Sequence, residues 1–209
     1  MSNASYSILR EEEYARLSRT PFRGSVLDIG GSKRSGYHEL LRKPERITTT
    51  NIDPAYDCDM VFDAEAVWPI ADETYDHVLS LNLFEHLYHF HNAFRESARV
   101  LKPGGTLVVS VPFLFQIHAS PDDYFRYTRS ALERLCRESG FKEVSVEELG
   151  FGLCSFLFQT VGGAVPTRFL KEVFKYTCKG MDRAFLRLSQ RYRALNKRIP
   201  LGYFLVARK

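Results

Sequence analysis

VLDIGGS, residues Val26–Ser32, sets an apolar run against an acid and two glycines, the pattern of a buried strand whose tip turns sharply toward a ligand. Ligands of open α/β sheets sit beyond the carboxyl ends of the strands, so Asp28, Gly30, Gly31 and Ser32 are candidate cofactor residues. A plain β-to-α turn reads the same way, and the flanking sequence has to separate the two. Counted from Gly30, a dinucleotide-binding G-x-G-x-x-G would need glycine at Ser32 and Ser35, which weakens a nicotinamide or flavin dinucleotide. No G-x-x-x-x-G-K-S/T occurs, which excludes a P-loop. Ser32, Lys33 and Arg34 offer amides, a hydroxyl and positive charge at an expected helix start, suited to a carboxylate as well as a phosphate.

About 23 residues past Gly30, the β-branched run RITTTNID ends at Asp53, a carboxylate expected at the tip of a neighbouring strand and suited to ribose hydroxyls. Alone it also reads as a solvated strand-end acid before the turn residue Pro54. Further on, LKPGG stands between an amphipathic helical pattern and the apolar run TLVVSV. Pro103 is expected to stop the helix, and Gly104 and Gly105 to turn the chain into a buried strand.

In this order, from about residue 22 to about 150, the chain resembles the class I S-adenosylmethionine-dependent methyltransferases, of the methyltransferase type 11-like kind. VLDIGGS resembles the first strand and glycine loop of that class, NID its ribose-binding acid, and FDAEAVWPI the segment whose Asp63 and Ala64 meet the adenine. YDHVLSLNLFEHL resembles the fourth strand and the turn that covers the cofactor, which adds Asn82, Leu83 and His86 to the cofactor residues. The resemblance implies a Rossmann-like α/β fold: seven strands in the order 3-2-1-4-5-7-6, the seventh antiparallel, flanked by helices. It implies S-adenosyl-L-methionine as cofactor and S-adenosyl-L-homocysteine as product. Many relatives carry glycine where this chain has Ser32 and Arg34. That departure keeps a non-catalytic scaffold of the same fold as the competing class.

The segment VPFLFQIHASPDDYFRYTRSALERL, Val111–Leu135, follows the fifth strand and is rich in polar and aromatic groups. Its His-x-x-Pro-x-Asp-Tyr-x-Arg-x-Thr run resembles a subgroup of bacterial methyltransferases connected with cell-surface glycan synthesis, which implies a small-molecule or glycan-precursor acceptor methylated at a hydroxyl. A hydroxyl must lose a proton, and His118, with an ordinary pKa of about 6.5, is the suited base. Asp122 or Asp123 would orient it, while Tyr124, Arg126 and Tyr127 would shape the pocket or hold an anionic acceptor. The competing readings are a hydrogen-bonded brace for His118 and a fixed ion pair for Arg126 with Asp122 or Asp123. Thr128 is placed to cap the helix that starts near Arg129.

His86, His89 and His91 beside Glu85 invite a metal, but only two of the three histidines share a helix face, and no further Cys or His completes a zinc pattern. No metal is therefore expected. Cys58, Cys136, Cys154 and Cys178 lack C-x-x-C spacing and read as reduced thiols of a cytoplasmic protein. The N-terminus has no apolar signal core.

The sequence divides into an N-terminal helical segment (1–21), a cofactor-binding core (22–150), a helical lid (151–196) and a last strand (197–209), all within one domain, for which 44% hydrophobic residues supply an ample core. The N-terminal helix, about Ile8 to Ser18, is expected near the cofactor entrance. Residues 166–209 carry twelve Lys or Arg against two acids, +10 within a net +4. Lys171, Lys175, Lys179, Arg183, Arg187 and Arg191 recur every fourth residue on a basic amphipathic helix, with Gly180 a possible break. Phe151–Val165 is apolar but shorter than the roughly 20 residues of a membrane span. The expectation is a lid that caps the pocket; the sharper alternative has it touch an anionic membrane at the inner face or gather a lipid-linked acceptor. A nucleic-acid substrate ranks lower, because no RNA-binding module and no N-P-P-Y-like motif accompany the basic tail.

Overall fold

The computed structural model describes residues 6–209; the first five residues of the N-terminal segment lie outside that range. Strand period two explains the architecture. Leu27 and Ile29 of β1 (Ser25–Ile29) point to one side of the sheet and Val26 to the other. Along β5 (Leu101–Pro112), Leu107, Val109 and Val111 likewise oppose Val108. Such strands are buried on both faces, as central strands of a parallel sheet must be. The sheet order is β3-β2-β1-β4-β5-β7-β6, with β2 at Arg46–Asn51, β3 at Met60–Val61, β4 at Tyr75–Leu81, β6 at Glu143–Leu149 and β7 at Gly202–Arg208. β1 to β5 pair in parallel, and β7 inserts antiparallel between β5 and β6. This is the seven-stranded arrangement that the sequence resemblance implies.

Helices α2 (Phe90–Val100) and α3 (Arg129–Glu138) cover one face, where Phe94, Val100, Leu132 and Leu135 meet Leu27, Val109 and Leu205. The other face is covered by α1 (Ile8–Leu17), α4 (Leu153–Val161) and α5 (Arg168–Leu188) through Ile8, Leu17, Phe158 and Cys178. A short helix, α6 (Gln190–Asn196), follows. Thr128 caps α3 by accepting from the Ala131 amide at 3.3 Å, as its position before Arg129 predicts.

Several local expectations are corrected. α2 already ends at Val100, and Leu101 to Gly105 run as the irregular start of β5, not as a turn before it. There, a Cβ on Gly105 would lie 2.9 Å from the Lys102 carbonyl oxygen and 3.0 Å from that of Asp76, so glycine is what lets β5 close on β4. No helix starts at Ser32–Arg34: a 3-10 turn at Gly36–Leu40 takes its place. Lys33 and Arg34 pair on the surface with Asp59 and Asp57. Gly180 does not divide α5, which breaks only at Ser189, the N-cap of α6.

The basic ridge is also not a free face. Lys175 is 2% exposed and lies 2.9 Å from Glu11 and 2.8 Å from Glu172, and Lys179 reaches Glu11 at 2.5 Å. A four-residue repeat drifts around a helix, so part of it must turn inward, and α1 supplies the countercharge.

Candidate active site

A cavity of about 920 Å³ opens at the carboxyl edge of the sheet, within the size range of ligand sites. Its floor comes from strand ends: Ile29 and Gly30 at the end of β1, Asn51 to Asp53 at the end of β2, Leu81 to Leu83 at the end of β4, and Pro112 at the end of β5. Gly30 has φ +79°, and the Asn51 side chain donates from Nδ2 to its carbonyl at 3.2 Å, locking the β1 and β2 tips together. Asp53 presents its carboxylate beside that junction, one oxygen accepting from the Ala55 amide at 2.8 Å.

The second wall is the FDAEAVWPI segment. Asp63 accepts from the Glu65 amide at 2.8 Å, and Phe62 packs against the buried Trp68. Glu65 accepts from the amides of Tyr88 and His89 at 2.9 and 3.1 Å, and Glu96 accepts from the Trp68 amide at 2.8 Å. These bonds pin Asp63 and Ala64 at the cavity wall from both sides.

α1 forms the third wall with Leu9, Arg10 and Glu13. Glu13 is fully buried, accepts from the Asn82 side chain at 2.7 Å and lies 3.2 Å from Arg10. Burial raises its pKa against the lowering pull of Arg10. The helix expected near the cofactor entrance therefore lines the cavity, and it adds a residue, Glu13, that the sequence reading did not single out. The available signal was helical spacing: Glu13 shares a stripe with the buried Leu9 and Leu17, and a carboxylate on an apolar stripe needs a partner.

The rim facing these walls is built by the chain after β5. The amides of Tyr124 and Phe125 donate to the Glu85 carbonyl at 2.9 and 3.2 Å, and the Tyr127 hydroxyl to the Phe84 carbonyl at 2.9 Å. His86, His118, Asp122 and Tyr124 line the cavity. His118 Nε2 stands 3.5 Å from Oε1 of the fully buried Glu85, and its Nδ1 stands 3.3 Å from Asp123. The nearby Glu85 carboxylate raises the His118 pKa above the ordinary imidazole value. Tyr124 donates to Asp122 at 3.0 Å.

Of the residues expected from the sequence, Gly30, Asp53, Asp63, Ala64, Asn82, Leu83, His86, His118, Asp122 and Tyr124 line this one cavity. The others are corrected. Asp28 sits fully buried behind the glycine loop, accepting from Tyr37 and bonded to His38 Nε2, each at 2.7 Å. Gly31 is buried against Asp28, and Ser32 turns its hydroxyl to the Arg34 amide at 3.2 Å. Asp123 and Arg126 form an ion pair set back from the cavity, with Arg126 Nη2 2.7 Å from Asp123, and the guanidinium holds the Asp123 carboxyl down to about 2. That pair carries the loop: Asp123 also accepts from the His118 amide at 2.9 Å. Residues 151–196 contribute no lining residue, so they do not cap the pocket; they support it from behind, through ion pairs to Glu11 of α1 and through apolar packing of Phe158 and Cys178 with Leu9.

The arrangement fits a nucleoside with an amino-acid tail: a tight glycine turn, a carboxylate at the β2 tip, an apolar wall with an acid, and a polar corner where the buried Glu13 meets Arg10 and Asn82. Residues 6–146 match the family described as the methyltransferase domain. The chain belongs to this family, and it is an S-adenosylmethionine-dependent methyltransferase of the Rossmann-like class.

Solved structures agree on the fold. A SAM-dependent methyltransferase from Archaeoglobus fulgidus is 17% identical with a TM-score of 0.62, covering 97% of this chain and 92% of its own. A putative sarcosine dimethylglycine methyltransferase from Galdieria sulphuraria is 18% identical, TM-score 0.59, covering 97% and 82%. The Haemonchus contortus phosphoethanolamine N-methyltransferase 2, solved with S-adenosyl-L-methionine, is 15% identical with a TM-score of 0.58; the match covers 93% of this chain but only 50% of that one. No curated protein matches the sequence.

Proposed function

We propose that the chain methylates a hydroxyl of a small acceptor, a sugar or glycan precursor, docked at the rim formed by His86, His118, Asp122 and Tyr124. The observation that carries this reading is that one cavity joins the cofactor walls to a rim of proton-accepting and hydrogen-bonding side chains. Gly30 and Asn82 hold the amino-acid end of the cofactor, Asp53 its ribose hydroxyls, and Phe62, Asp63 and Ala64 its adenine. When bound, S-adenosylmethionine supplies a sulfonium-activated methyl carbon: the acceptor oxygen forms a bond to it while the C–S electron pair returns to sulfur, leaving S-adenosylhomocysteine. The protein's contribution is alignment, which is worth up to about 7–11 kcal/mol of barrier, and removal of the hydroxyl proton. His118 is the proposed base, poised by Glu85 and Asp123 on its two ring nitrogens. Asp122 and Tyr124 orient the acceptor.

The experiment is a two-stage one. Calorimetric titration with S-adenosylhomocysteine establishes the cofactor half; a screen of nucleotide sugars and lipid-linked glycans with methyl-labelled cofactor then reads product. Labelling confined to amines refutes the hydroxyl reading, and transfer undiminished in His118→Gln refutes His118 as the base.

A second proposal concerns where a lipid-linked acceptor would be met. α5 leaves Phe169, Val173 and Tyr176 exposed, and α4 leaves Leu153 and Leu157; with Arg168 exposed and Lys171 half-exposed at the start of α5, such apolar side chains beside cations suit an anionic membrane surface. No helix among the described residues is long and apolar enough to cross a membrane, so the contact is peripheral. Flotation with vesicles of phosphatidylglycerol at low salt tests it, and failure to float overturns it.

A further inference from the structure

Glu85 is the anomaly of the site. Its side chain is fully buried, and neither carboxylate oxygen accepts a hydrogen bond. An unpaired buried carboxylate is costly, so a cation or a donor belongs beside it. Two imidazoles face it: His118 Nε2 at 3.5 Å and His86 Nε2 at 3.8 Å. One ligand atom from each of the three residues lies within 4.8 Å of the others.

From these positions we infer that Glu85, His86 and His118 form a binding site for a divalent first-row transition metal ion such as zinc, with its open coordination positions toward the acceptor rim. Ligand atoms about 2.0–2.2 Å from a tetrahedral ion stand roughly 3.4 Å apart, so two of the separations need no more than a few tenths of an ångström of closure. Two imidazoles and one carboxylate form a donor set with vacant positions, which suits such ions.

The outer contacts match. His86 Nδ1 is 2.5 Å from the Asp122 carbonyl oxygen, and His118 Nδ1 is 3.3 Å from the Asp123 carboxylate. With the proton on Nδ1, each ring would turn its Nε2 lone pair toward Glu85, which is how metal-bound histidines are oriented. This set differs from the one the sequence suggests: His89 and His91 are exposed and take no part in the cluster, and the third ligand comes from 32 residues beyond His86.

The metal's role rests on the methyl-transfer reading above. An acceptor hydroxyl bound to the ion releases its proton to water at lower pH; the resulting oxygen anion forms the O–CH₃ bond, the C–S pair stays on sulfur, and the metal's oxidation state is unchanged. His118 is then a ligand, and the proton-removing role passes to the ion.

The test is titration of chelator-stripped full-length protein with Co²⁺, followed by visible absorption, with Zn²⁺ competition by calorimetry. One equivalent should produce d–d bands that Zn²⁺ abolishes. His118→Gln and the isosteric Glu85→Gln should lose them, while His89→Ala and His91→Ala keep them; Asp123→Asn, acting through His118, should weaken binding about 10–100-fold. Circular dichroism and S-adenosylhomocysteine binding of each variant separate loss of metal from loss of fold. No bands in folded protein that binds S-adenosylhomocysteine overturns the metal site and leaves His118 as the base. Bands that survive His118→Gln overturn it as well. Bands without S-adenosylhomocysteine binding uphold the metal site and sink the methyl-transfer reading instead.

Discussion

Gly31→Ala is expected to damage both stability and cofactor binding, through a residue that does not line the cavity. A Cβ at Gly31 would sit 2.1 Å from Asp28 Oδ2 and 2.4 Å from its Cγ, a collision that requires movement. The carboxyl group cannot swing away freely: it is fully buried and holds Tyr37 and His38, each at 2.7 Å. Losing two hydrogen bonds to a buried acid, at about 1–3 kcal/mol apiece, puts the cost at roughly 3 kcal/mol or more. That is a large part of the ~5–15 kcal/mol that keeps a domain folded. With an m-value of about 3 kcal/mol per M for urea, the midpoint should fall by about 1 M. The neighbouring Gly30 floors the cavity, so affinity for S-adenosylhomocysteine should drop about tenfold, equivalent to about 1.4 kcal/mol. Gly36→Ala is the control within the same loop, because a Cβ there meets nothing within 4 Å; it should change stability by no more than about 0.5 kcal/mol. Urea unfolding followed by tryptophan fluorescence, with calorimetry of the ligand, reads both quantities. Equal midpoints for the two variants would refute the argument that Asp28 is an immobile support.

Asp53→Ala should weaken S-adenosylhomocysteine about tenfold or more while Asp53→Asn loses less, as calorimetry would show, since the amide retains one acceptor. Lys175→Ala removes a 2%-exposed ammonium from Glu11 and Glu172 and should destabilise by about 2–4 kcal/mol in thermal or urea unfolding, with cofactor affinity falling too because α1 carries Glu13. Asp76 is held at about 2: its partial burial opposes ionisation, but the Ser25 amide at 2.9 Å, the Ser25 hydroxyl and Lys102 outweigh it. A depressed folded pKa contributes stability above the unfolded value of about 3.9 and loses it as pH falls through about 2. Asp76→Asn should therefore cost stability at pH 7 and converge with the parent protein between about pH 4 and 2, in unfolding curves collected across that range.

The Lys175 and Gly31 cases mark where local reading stops. The strands and the glycine turn after β1 were legible because they depend on period and turn chemistry within a dozen residues: Leu27 and Ile29 alternate with Val26 whatever the rest of the chain does, whereas the sheet order came from the resemblance to the class I methyltransferases. The acid Asp53 was legible for the same reason, since a residue just past a strand end must stand at the carboxyl edge, while Asp63 came from the resemblance of FDAEAVWPI to the family's adenine segment. Burial of charge depends on partners far away in sequence. Nothing within REEEY says that Glu13 turns inward to Asn82, 69 residues away, or that Glu11 meets Lys175 and Lys179. FEHL does not disclose that Glu85 is sealed from water opposite His118.

By itself, the sequence determined strands with a glycine turn and an acid at their tips, because backbone pattern and strand-tip position are local properties, and its resemblance to the class I methyltransferases supplied the sheet order and the other expected lining residues. The tertiary structure alone decided which charged groups face the cavity, which brace it from behind, and that residues 151–196 support α1 without covering the pocket. The physical reason is desolvation: a charge is kept inside only where the whole fold delivers its counter-group, and that meeting is written in no single segment.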